Sequence, residues 1–273
     1  MGILDAIILG IVQGVSEFLP ISSSGHLVLL QNILTPGPHS IMFDLAVHVG
    51  TVLSIITVYR KSLFQVLKDV FQAISKRQKN AGLMLAFLVV VANVPTAIIG
   101  FGFKDQFESL FSNLTAVGIG FFVTGVLLFL TKKKSGPEND KALDMHDFSG
   151  VGNLNIWRAL LIGVAQGMAI APGISRSGST IAAALLAGVD RKTAAMFSFI
   201  LSIPPILGAS LLELKDATAQ GEMQMTVMLA GFFFAYVSGL IGLKVILKFV
   251  KKGRLEIFSY YLWALSAYII FAS

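Results

Sequence analysis

The sequence predicts an all-α polytopic membrane protein: six transmembrane helices plus two re-entrant helical hairpins in an inverted-topology repeat. Three observations carry this reading. Of 273 residues, 55% are hydrophobic and 13% charged, about half the charged fraction of a soluble domain, and mean hydropathy is +0.79. Runs 41–59, 82–101, 114–131, 193–212, 225–247 and 255–272 approach or exceed the ~18 apolar residues that cross a bilayer. Two further apolar stretches, 2–34 and 155–190, are interrupted by polar, Gly- and Pro-containing segments. Hydrocarbon offers backbone groups no partner, so the spans are helical.

Basic residues set the topology. Arg60, Lys61, Lys68, Lys76, Arg77 and Lys79 lie in 60–80; Lys132, Lys133, Lys134 and Lys141 in 131–155; Lys248, Lys251, Lys252 and Arg254 in 248–254. Segment 35–40 has no Lys or Arg, 101–113 only Lys104, and 212–224 only Lys215. The positive-inside rule puts the first three loops in the cytoplasm and the last three outside, and the six spans then alternate. Lys244 and Lys248 are expected to snorkel to the cytoplasmic surface. The net charge of +6 reflects this loop bias and implies no nucleic-acid partner. The absence of cysteine excludes disulfides and thiolate metal sites. The start, "MGILDAIILG", has no basic n-region, so no cleaved signal peptide is expected. The chain reads as a single integral domain, 1–273, with halves 1–131 and 155–273 joined by the charged cytoplasmic loop 132–154.

The interrupted stretches match one another. Sliding the chain by 153 positions lays "GIVQGVSEFLPISSSG" (10–25) on "GVAQGMAIAPGISRSG" (163–178) without a gap. Gly10, Gln13, Gly14, Ile21, Ser22, Ser24 and Gly25 meet Gly163, Gln166, Gly167, Ile174, Ser175, Ser177 and Gly178. The topology has hairpin 2–34 entering from outside and hairpin 155–190 from inside. That is the inverted plan that builds midplane sites from broken helices.

The polar residues suit an oxyanion. Gln13 and Glu17 share a helix face, which ends near Pro20. The serines that follow can cap the next half-helix, whose free N–H groups favour an anion. The second copy repeats the break at Pro172-Gly173 and puts Arg176 at the position of Ser23; a guanidinium fork fits phosphate oxygens. Glu17 would repel such an anion unless a divalent cation such as Mg²⁺ joined them. His26 adds a group that moves protons near neutral pH. Each feature also has a plainer reading. Serines can bond backbone carbonyls, Gly14 and Gly167 can serve close helix packing, and Glu17 and Arg176 can simply pair. Asp44 and His48, four apart near the outer end of a span, suit capping or an interface as well as catalysis.

"QGVSEFLPISSSGH" and "PGISRSGST" resemble the two signature motifs of the undecaprenyl-diphosphate phosphatases, the bacitracin-resistance family, and the span pattern agrees along essentially the whole chain. The resemblance implies an integral membrane hydrolase acting on a phosphoanhydride. It converts undecaprenyl diphosphate to the monophosphate carrier lipid of cell-wall peptidoglycan synthesis. It implies a bacterial plasma membrane location with the pocket open to the outer, periplasmic side. Catalytic roles fall to Glu17, Ser23, His26 and Arg176. Gln13, Ser22, Ser24, Gly25, Ser175, Ser177 and Thr180 surround the substrate, and Glu17 and Gln13 hold a divalent cation, Mg²⁺ or Ca²⁺. Many family members carry glutamate where this chain has Gln13. The partners are then a prenyl diphosphate lipid and membrane lipids, with a homodimer left open. The nucleophile is open between Ser23, His26 and water. A lipid-phosphate transporter or flippase fits the same architecture, alone or alongside the phosphatase.

Overall fold

The computed structural model describes residues 1–34, 40–76, 80–134, 149–219 and 224–272. Residues 35–39, Arg77, Lys79, Lys141 with most of segment 132–154, and part of 212–224, all of which the sequence reading used, lie outside the described residues. The described chain forms eleven α-helices and two 3₁₀ turns, with no strand. The helices are α1 (Ile3–Phe18), α2 (Ser23–Leu34), α3 (Ile41–Lys76), α4 (Ala81–Gly102), α5 (Lys104–Phe111) and α6 (Leu114–Leu130). They continue with α7 (Ile156–Met168), α8 (Arg176–Leu186), α9 (Arg191–Ala219), α10 (Met225–Lys252) and α11 (Ile257–Ala272).

Side chains start many of these helices by accepting a free N–H of the first turn. Asn80 accepts from Leu83, Asn113 from Ala116 and Asn155 from Arg158. At the other end of α10, Gly253 takes a left-handed φ of 63° and closes the helix, a conformation that costs glycine little.

Each expected span falls on one helix, but their lengths differ. Among the described residues α3, α4, α9 and α10 are long and apolar enough to cross a membrane alone. The α5–α6 pair qualifies only as one span bent by 105°. The sixth expected span, 255–272, is the 16-residue α11, because Gly253 and the turn after it delay the start. Among the described residues, four helices are therefore candidate spans outright and a fifth as a bent pair, as befits a multi-pass membrane protein. The segment 101–113, expected as an outer loop, holds the exposed helix α5, with Lys104 and Glu108 paired at 3.5 Å. At the other face α3 runs for 36 residues, about 54 Å at 1.5 Å per residue, and continues as helix well past the apolar run 41–59.

The packing crosses between the two halves of the chain. Helix α1 lies along α10, and α7 lies along α4; α3 packs on α9 and α10, and α6 on α11. Small residues permit the close crossings. A Cβ added to Gly10 would meet the Gly231 carbonyl oxygen at 2.6 Å, and one added to Gly163 would strike Ala92. Hydrogen bonds reinforce both seams. The Ser238 hydroxyl donates to the Gly10 carbonyl (3.4 Å), and the Thr96 hydroxyl to the Gly163 carbonyl (2.9 Å).

Candidate active site

Helix α1 stops at Phe18, and Pro20 with the turn after it redirects the chain into α2 at Ser23. Ser22 makes the corner with φ 69°, a left-handed conformation for a residue that is not glycine. That conformation is strained by about 1–2 kcal/mol and is held by several bonds at once. The Ser22 hydroxyl accepts the Gly25 N–H (3.3 Å) and lies 3.2 Å from the Ser24 hydroxyl. Its carbonyl accepts from the His26 ring at Nδ1 (2.8 Å).

The second break is built differently. Gly173 takes φ 83°, and Ser175 caps α8 by accepting the Gly178 N–H (3.1 Å). Thr124 of α6 ties this turn down, accepting from the Ser175 N–H (2.9 Å) and donating to the Gly173 carbonyl (3.1 Å). Nothing in the motifs singled out Thr124.

The two breaks meet. Ser177 donates to the Leu19 carbonyl (3.2 Å). A Cβ on Gly25 would sit 3.1 Å from Gly173 Cα, and one on Gly178 3.1 Å from Pro20 Cβ. Close approach therefore favours glycine at both positions, most strongly at 25, where an added methyl group would also meet Phe121 Cζ at 2.6 Å.

At this junction Gln13, Glu17, Ser23 and Arg176 form one bonded unit. Gln13 is fully buried and Glu17 is 8% exposed. Glu17 Oε2 accepts from Gln13 Nε2 at 2.9 Å and from Ser23 Oγ at 2.6 Å. Arg176 Nη2 pairs with Glu17 Oε1, while Arg176 Nη1 reaches the Ser202 carbonyl at 3.5 Å. The pairing that the sequence held as the plain alternative for these two charges is therefore formed. It also places a hydroxyl and a guanidinium on the two oxygens of one carboxylate. A carboxylate accepting a serine proton on one side and facing a phosphate binder on the other is equipped for nucleophile activation.

Not every expected site residue joins this unit. Ser22, Ser24, Gly25, Ser175 and Ser177 form the adjoining turns, in bonds to one another and to backbone. Thr180 is buried and donates to the Arg176 carbonyl at 2.8 Å, so it braces the first turn of α8. His26 lies on the same corner but bonds neither Ser23 nor Glu17. Its Nδ1 engages Ser22 and its Nε2 lies 2.6 Å from the Tyr261 hydroxyl on α11. Asp44 accepts from Gln31 (2.8 Å), and His48 Nδ1 meets the Asp44 backbone carbonyl (2.7 Å). The Gln31–Asp44 bond joins α2 to the start of α3 and suits an interface role, while the His48 bond lies within α3.

The donor set fits a divalent cation only in part. Gln13 Oε1 is buried with no hydrogen-bond partner, a suitable hard oxygen beside the Glu17 carboxylate. Among the described residues no group of three or more His, Cys, Asp or Glu could hold a metal. One carboxylate and one amide oxygen match the sparse protein ligation of Mg²⁺ that is completed by substrate phosphates.

Known proteins resemble the chain over nearly its whole length. The family model for bacitracin resistance protein BacA matches residues 6–268. The chain is 41% identical over 275 residues to the "Undecaprenyl-diphosphatase" of Carboxydothermus hydrogenoformans, covering 99% of this chain and 97% of that one. It is 44% identical over 273 residues to the protein of the same name from Halothermothrix orenii, covering 99% and 98%. With the one from Korarchaeum cryptofilum it shares 40% over 266 residues, covering 96% and 95%. These names lend the transport reading no support.

Proposed function

The chain belongs to the BacA family of bacitracin resistance proteins, and we propose that Ser23 and Glu17 are the centre at which it hydrolyses undecaprenyl diphosphate. It is an integral membrane phosphatase that regenerates undecaprenyl phosphate, the lipid carrier of cell-wall synthesis. The observation that carries the site assignment is the 2.6 Å bond from the Ser23 hydroxyl to Glu17.

The polyprenyl tail stays in lipid, and the diphosphate reaches the junction of the two helix breaks. Arg176 leaves Glu17 for the phosphate oxygens, which frees the carboxylate to act as base. Glu17 takes the Ser23 proton as Ser23 Oγ attacks the terminal phosphorus. The bridging P–O bond breaks, undecaprenyl phosphate leaves, and the proton on Glu17 passes to the departing oxygen. Water then attacks the phosphoserine, with Glu17 as base again. Orthophosphate departs and the proton returns to Ser23 Oγ. Such transfers depend mainly on positioning and charge stabilisation. Free N–H groups at the starts of α2 and α8 add to the latter. A divalent cation bound with the substrate would be held by Glu17 and Gln13 and would neutralise charge on the phosphate oxygens. His26 supplies a proton relay at the rim.

Helices broken at Pro20 and at Pro172-Gly173, within two segments that align at a shift of 153 positions, support two re-entrant hairpins of an inverted repeat. The basic loops support a pocket open to the outer side of the bacterial plasma membrane. The test is orthophosphate release from a prenyl diphosphate by the purified protein in detergent, with and without a chelator. Metal-dependent release with phosphate trapped on Ser23 is expected. Lipid binding without release would return the chain to the transport reading.

A further inference from the structure

We infer that Tyr261, on a helix that no motif reaches, is a positioning residue for this reaction, fixing the proton-carrying face of His26. This rests on the proposed role of His26 and deepens it. The His26 ring touches the Ser22 carbonyl through Nδ1 at 2.8 Å. A carbonyl oxygen has no proton to give, so Nδ1 carries the hydrogen. In the neutral ring the only lone pair available for proton transfer is then on Nε2. The Tyr261 hydroxyl stands on that lone pair at 2.6 Å and donates to it.

The ring has two aromatic neighbours as well. Tyr261 stacks on it at 5.8 Å and 16°, and Phe121 of α6 meets it edge-on at 5.2 Å and 65°. The wall that carries these aromatics is rigid. Ser266 donates to the Gly118 carbonyl at 2.7 Å and Trp263 to the Phe122 carbonyl at 3.3 Å, so α11 is bonded to α6 at two points just beyond the tyrosine. Outer partners of an imidazole of this kind choose its tautomer and its aim. Tyr261 is 47% exposed, which leaves its hydroxyl at the edge of the site rather than in its core. When His26 is protonated, Nε2–H donates to the phenol oxygen, and the phenol hydrogen turns outward.

The test compares Tyr261→Phe, His26→Ala and their double variant with wild type, in full-length protein, by steady-state phosphate release from a prenyl diphosphate. Tyr260→Phe, which alters a neighbour packed on Trp263 and Phe129, is the control for simple loss of a phenol on α11. Tyr261→Phe keeps ring, shape and stacking and removes only the hydroxyl. We expect it to lower kcat about ten- to a hundredfold, with KM within about twofold of wild type. The double variant should be no slower than His26→Ala alone, and Tyr260→Phe should match wild type. Three results overturn the proposal while leaving His26 in place: Tyr261→Phe with wild-type kcat, a change confined to KM, or losses that multiply in the double variant. Wild-type turnover by His26→Ala overturns the role of His26 itself and the proposal with it.

Discussion

Replacing Glu17 by glutamine separates catalysis from architecture at the point where the two are most closely joined. The carboxamide has nearly the same shape and its one oxygen can keep the Arg176 bond, but its NH2 then faces Ser23, so it can neither accept from the serine hydroxyl nor take its proton. Loss of a general base lowers turnover about 10²- to 10⁴-fold, or about 3–5.5 kcal/mol of activation free energy. The competing effect is instability, because the variant removes one charge of an ion pair. Breaking a fully buried pair destabilises by about 3–5 kcal/mol. Here the Arg176 side chain remains 22% exposed, against 4% for Glu17, so water screens the stranded guanidinium. The amide oxygen also still accepts its bond. A loss of about 1–3 kcal/mol is left, within the 5–15 kcal/mol of a typical fold. Glu17→Gln should therefore stay folded and fail catalytically. Thermal unfolding and phosphate release, measured on the same detergent-purified sample, test both parts. A kcat within tenfold of wild type would falsify the assignment of Glu17 as base. So would a loss of activity that simply tracks the unfolded fraction.

Other expectations follow from the same contacts. Ser23→Ala should abolish the phosphoenzyme in a rapid-quench experiment with labelled diphosphate; labelling of another residue would move the nucleophile away from Ser23. Arg176→Lys keeps the charge but loses the planar fork that spans Glu17 and the Ser202 carbonyl. It should raise KM and lower kcat by at least tenfold, and wild-type kinetics would show that only a point charge is needed. Gly25→Ala puts a methyl carbon 2.6 Å from Phe121 Cζ. This overpacking should destabilise by about 1–3 kcal/mol, read as a lower melting temperature, whereas an unchanged melt would mean that the two breaks are not tightly apposed.

The sequence revealed most where the chemistry is local. The face shared by Gln13 and Glu17 follows from helical spacing, and the corner at Pro20 from ring geometry. Ser175 as a cap and the start of α8 at Arg176 follow from the serine-rich turn. The union of Glu17 with Arg176 was foreseeable only as one of two outcomes, because pairing across 159 residues leaves no periodic trace. Thr124 and Tyr261 were missed for the same reason. A threonine or tyrosine in a membrane helix is ordinary, and only the fold brings these two against Gly173 and His26. The length of α3 was misjudged because hydropathy ends at Tyr59 while backbone propensity does not. Helix α5 was hidden by a polar segment that resembles any exposed loop.

The crossed packing of α1 on α10 and α7 on α4 also bears on how the molecule is made. Helix α1 ends at residue 18 and α10 at residue 252. At about 5–20 residues per second, roughly 10–50 s of synthesis separate them. Until α8 and α10 emerge, Glu17 has no arginine and the glycines of α1 have no facing helix. A bare carboxylate is costly in hydrocarbon. Helix α1 must therefore be among the last to reach its resting place, since its arginine and its facing helix are both made after it. A nascent chain interrupted before α10 is then not half of a working molecule but an unfinished one, recognisable to the cell by the polar face it still exposes.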